Sequence, residues 1–204
     1  MISGRRRWHG CGRCALWRLQ PGGPTARDVL QIARPVAAVQ ELRDGRTYRY
    51  CEGEPLYPFV FGLSYTKFAY SKLVMPKTVA SGATLIVRAT VTNVGTRPGD
   101  EVVELYVTDV EASVRVPVRS LQGIRRVHLA PGDRREVSFT LEPRQLAIVN
   151  DSGATVVEPG EFTVAVGGKQ PGFKGRTDAA TTSVVEGRFR MTGKATVIRN
   201  EASR

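Results

Sequence analysis

The sequence predicts an all-β protein, two antiparallel sheets packed face to face, with a mostly disordered N-terminal arm ahead of them. Three observations lead there. From residue 71 onward, apolar residues recur with period two, which sets them on one side of a pleated strand. Turn residues break those runs at short intervals. Residues 1–44 crowd Arg and Gly together with no sustained period.

The arm, 1–44, buries too little apolar surface to offset the entropy of ordering it. A short helix over 26–42 is conceivable, and Pro35 would interrupt it. Residues 1–43 are expected to be dispensable for stability. Residues 45–70 follow as an aromatic linker. Tyr48, Tyr50, Tyr57, Phe59, Phe61, Tyr65, Phe68 and Tyr70 fall within 23 positions, and a free linker has no need of such rings. The sandwich is placed over 71–190. Leu85, Val87, Ala89 and Val91 share one strand face, as do Val103, Leu105 and Val107, then Val137, Phe139 and Leu141, then Phe162, Val164 and Val166. Leu129 joins them in the expected core. Between the runs stand Asn93-Val94-Gly95, Pro98-Gly99, Ala130-Pro131-Gly132-Asp133, Asp151-Ser152-Gly153 and Pro159-Gly160. Asn93 and Gly95 read as turn residues only. Many short strands with one apolar face make a sandwich. Residues 167–180 read as a loop, 181–193 as one last strand, and 191–204 as a frayed tail.

Charge narrows the function. The chain carries a formal +11, which raises the question of nucleic acid. Ten Arg against three acids in residues 1–50 supply +7 of it, leaving +4 for the rest. No recognition helix or aromatic-studded basic strand goes with the charge, so no nucleic-acid partner is expected. No run of about 18 apolar residues is present, so no membrane-spanning helix is expected either. Arg5-Arg6-Arg7 lacks the apolar stretch an export signal needs behind it, and localisation stays open. Cys11, Cys14 and Cys51 form no disulfide framework. Cys11-Gly-Arg-Cys14 with His9 falls short of two spaced ligand pairs, so neither a metal nor a cofactor is expected.

The segment GRTYRYCEGEPLYPFVFGLSYTKFAY, residues 45–70, carries a family likeness. So do VTNVGTRPGDEVVELYV at 91–107, LQGIRRVHLAPGDRREVSFTL at 121–141 and VVEPGEFTVAVGG at 156–168. In this order they resemble the linker and C-terminal domain of family 3 glycoside hydrolases, over about 45–190. The resemblance implies an immunoglobulin/fibronectin type III-like antiparallel β-sandwich. Val60-Phe61 stands where many members have Gly-Tyr, and Val116-Pro117-Val118 where an Arg-Pro pair is common; both are packing-level departures. Residues 1–43 match nothing in the family, so the chain reads as a fragment behind an unrelated leader.

Glycoside hydrolysis needs two placed carboxylates. The resemblance implies that the family's nucleophile and acid both lie upstream of the matching region, so no catalytic residue maps here. Asp100/Glu101, Asp109/Glu111 and Glu158/Glu161 sit beside turns or strand ends and read as solvated charges. The expected function is thus a non-catalytic module of a β-glucosidase or β-xylosidase type enzyme, inactive alone. Its partner would be the enzyme's catalytic domains, in cis within the family or in trans here. The alternative is a free-standing carbohydrate-binding or adhesive sandwich. The expected docking surface centres on Tyr48, Tyr50, Tyr57 and Phe59, while Phe68 and Tyr70 are expected to pack on the sandwich.

Overall fold

The structure is a computed structural model and describes residues 49–50, 57, 59, 61–172 and 179–198. The arm with its Cys11-Cys14 motif, Tyr48 and Cys51 lie outside the described residues.

Alternation drives the first sheet. In β3 (Leu85–Asn93), Leu85, Val87, Ala89 and Val91 face the core while Ile86 and Arg88 face out. It lies between β1 (Phe68–Val74) and β6 (Arg134–Leu141), antiparallel to both. Register across β3 and β6 sets Leu85 against Leu141, Val87 against Phe139 and Ala89 against Val137, so both apolar sets fall on one face.

The second sheet has five strands, in the order β2 (Thr78–Ala80), β10 (Val184–Thr192), β9 (Gly160–Gly167), β4 (Gly99–Asp109), β5 (Ser120–Leu129). All pairs are antiparallel except β2 with β10. Its inner face contributes Val103, Leu105, Phe162, Val164, Val166, Phe189 and Met191, all buried. Phe162 and Phe189 stack, centroids 5.2 Å apart. The core residues expected from the period-two pattern are all buried, and Phe68 and Tyr70 join them. A third, small sheet, β7 (Ile148–Val149), β8 (Thr155–Val157) and β11 (Thr196–Val197), closes one end after a 3-10 turn at Pro143–Leu146.

Three expectations change. The frayed tail does not begin at 191. Residues through Thr192 complete β10, and Thr196–Val197 pair with Val157–Val156, with Ile198 N–H donating to Thr155 at 2.8 Å. Asn93 is more than a turn residue. It is 0% exposed; its Oδ1 accepts from Thr66 Oγ1 (2.7 Å) and Gly95 N–H (3.0 Å), and its Nδ2 donates to the carbonyls of Arg97 (2.8 Å) and Leu129 (3.0 Å). That amide meets its full bonding capacity and ties the 93–97 turn to Thr66 and to Leu129. Gly95 packs on Thr66 so closely that a Cβ would strike the backbone of Lys67. The third change concerns the carboxylates, below.

Candidate docking surface, end cleft and buried carboxylates

The linker is held by its backbone. Arg49 C=O accepts from Val118 N–H (2.8 Å), Phe59 N–H donates to Gln170 Oε1 (3.1 Å), and Lys67 C=O accepts from Val94 N–H (2.8 Å). Among the described residues, no ring contact joins Tyr50, Tyr57 and Phe59. Tyr50 is half-buried with the Arg115 guanidinium 5.9 Å from its ring centre. Tyr57 is exposed and meets Phe61, centroids 5.0 Å apart, while Phe59 is half-buried near Gln170. More apolar surface is bare further along: Leu63 is 68% exposed, Tyr65 54%, and Val94 beside the Thr66–Gly95 contact is exposed too.

A cleft of about 320 Å³ opens at the end of the sandwich where β4 stops and β5 starts. Arg49 and Tyr50 close one side, the 114–117 turn another, and the 3-10 turn with β7 the third. Asp109 lines it. Burial first, then the charges of Glu158 and Glu111, push the Asp109 carboxyl up to about 6, against the pull of the Glu111 N–H.

Neighbouring acids on β4 meet opposite fates. Asp100 faces out, accepts from Arg126 (2.5 Å) and lies 2.6 Å from His128 Nδ1. Those bonds, His128 first, hold its carboxyl below the usual range. Glu101 does not read as a solvated charge: it is 8% exposed and points inward. Tyr70 Oη donates to its Oε1 at 2.9 Å and Thr182 Oγ1 at 2.5 Å. Burial still dominates and pushes Glu101 up to about 7. The signal that finds it is its phase, two residues before Val103. Glu104, 1% exposed, points the other way with Tyr106, whose Oη donates to it at 2.7 Å. Burial pushes it up to about 7 as well. With Tyr106 also buried, this face of β4 is covered, and alternation alone gives no sign of it. Glu111 and Glu161 remain surface charges, paired with Arg190 (3.5 Å) and Arg188 (2.8 Å), and Glu158 caps Ser113. Among the described residues no cluster of His, Cys, Asp and Glu suits a metal ion.

Comparison with known proteins converges. A fibronectin type III-like domain family matches residues 101–170. A β-xylosidase of Formosa agariphila is 41% identical over 73% of this chain and 22% of its own length. The thermostable β-glucosidase B of Acetivibrio thermocellus is 40% identical over 74% of this chain and 20% of its own. Among solved structures, a β-glucosidase of Erythrobacter marinus superposes with a TM-score of 0.60 at 32% identity, over 72% of this chain and 18% of that one. The GH3 β-glucosidase of Bifidobacterium adolescentis gives 0.59 at 34%, over 77% and 22%. The chain spans about a fifth of the length of the curated relatives it matches.

Proposed function

Given that this chain carries a fibronectin type III-like domain homologous to that of family 3 β-glucosidases and β-xylosidases, we propose that it acts as a non-catalytic support module that docks against glycosidase catalytic domains. The observation that carries this reading is the bare apolar run on a pinned backbone. Phe59 and Lys67 are bonded to the sandwich, and Thr66 is bonded to the buried Asn93, while Tyr57, Leu63 and Tyr65 point to solvent between and beside them. Scattered apolar side chains on a surface are ordinary. Several on a fixed segment, with Val94 alongside, make a preorganised contact face. The docking surface thus extends from Tyr57 through Leu63 and Tyr65, and Tyr50 belongs to the cleft instead.

The carboxylates agree with a supporting role. Glu101 and Glu104 are sealed among Tyr70, Thr182 and Tyr106, where no glycosidic oxygen reaches them. The test is binding in trans. A catalytic fragment of a family 3 β-glucosidase should bind the chain in sedimentation experiments, and Leu63→Ser with Tyr65→Ser should abolish the complex. A chain that stays monomeric, binds no hydrophobic dye and ignores the fragment would end the docking reading. The purified chain should also leave aryl β-glucosides and β-xylosides intact. Turnover that vanishes when one of its own carboxylates is changed would refute the non-catalytic assignment.

A further inference from the structure

We propose that the cleft at the Asp109 end of the sandwich is a saccharide site, taking one or two units of a neutral sugar chain between Tyr50 and Asp109. The site goes beyond the docking face and stands without it. At about 320 Å³ the cleft is at the lower end of the size range of small-molecule pockets.

Its chemistry is mixed in the way a sugar requires. Val114, Pro117 and Ile148 give an apolar wall for a C–H face. Facing the same space are polar atoms with bonding capacity left over among the described residues. Asp109 uses Oδ1 to accept from Glu111 N–H at 3.2 Å, which leaves Oδ2. Gln122 accepts from Gln145 through its Oε1 at 3.3 Å, which leaves its amide N–H groups. Arg49 offers a guanidinium and Ser120 a hydroxyl. A carboxylate acceptor, two donors and a two-way hydroxyl match a ring of hydroxyl groups. A small anion would meet the Asp109 carboxylate, and a small cation would meet Arg49 and Arg115, so an uncharged polyol fits best. Half-buried polar atoms without partners are also expensive to leave dry, and a ligand hydroxyl relieves them.

Tyr50 is the ring on which the sugar would lie. The Arg115 guanidinium lies over one face of the ring, 5.9 Å from its centre, and the Val118–Arg49 bond of 2.8 Å anchors the backbone just before it. A ring already held loses little freedom on binding.

Isothermal titration of the full chain with glucose, xylose, cellobiose and xylobiose tests this. Saturable binding of at least one sugar is expected, with a Kd on the order of 1 mM or tighter. Tyr50→Ala and Asp109→Asn should each weaken it at least about tenfold, and Tyr57→Ala should leave it unchanged. If Tyr50→Ala perturbs the fold by circular dichroism, Ser120→Ala with Gln122→Ala probes the same wall. No saturation with any of the four sugars up to about 50 mM, or binding that the cleft variants leave untouched, overturns the proposal. The titration uses no catalytic fragment, so its outcome is separate from that of the docking test.

Discussion

Raising the pH from about 5 to about 8 should destabilise the domain, and Glu101→Gln should remove a large part of that loss. Glu101 titrates at about 7 in the folded protein against an ordinary 4.5, because burial outweighs the bonds from Thr182 and Tyr70. A folded-state value above the unfolded one means the folded protein holds this proton more tightly. Its contribution is therefore complete below about 4.5 and disappears as the pH rises through about 7. That difference is worth about 3 kcal/mol. For a domain of this size 1 kcal/mol moves the melting temperature by roughly 3–4 °C, so a fall of about 10 °C is expected. Glu104, also at about 7, and Asp109, at about 6, act in the same direction. Gln at 101 keeps an acceptor for Tyr70 and Thr182 and never ionises. The variant should match the parent near pH 5 and melt several degrees higher near pH 8. Thermal melts of both proteins across this range decide it. Parallel melting curves, or a variant less stable than the parent at the alkaline end, would refute the reasoning.

Phe139→Ala should destabilise by about 3–5 kcal/mol in urea unfolding, since the ring fills the inner face and lies beneath the Arg125 guanidinium, 5.9 Å away. Gly123→Ala should cost about 1–3 kcal/mol in the same assay, because a Cβ there would stand 2.6 Å from Phe139 Cδ1; pairing it with Phe139→Leu should recover part of the loss. Asn93→Ala should cost at least about 2 kcal/mol, as it strands the Thr66 hydroxyl and the Leu129 carbonyl in the interior; an unchanged midpoint would mean water replaces the amide.

Alternation alone determined the strands and the core of this protein. In an antiparallel sheet the side-chain period is two, so the phase shared by Leu85, Val87 and Val91, or by Phe162, Val164 and Val166, already separates inside from outside. The same phase points Glu101 inward, and it is the charge on that residue that argues for solvent. The ordered motifs from Gly45 to Gly168 likewise carried the family likeness. Only the tertiary structure decided the rest. Asn93 becomes a four-bond hub because Thr66 and Leu129 arrive from separate segments while its own turn supplies Gly95 and Arg97. Glu104, on the outward phase of its strand, is nevertheless buried, with Tyr106 Oη donating to it. Tyr50 lies beside Arg115, and Tyr57 beside Phe61. Periodicity reports the environment of a residue relative to its own strand, whereas these outcomes depend on which other residues the fold brings against it.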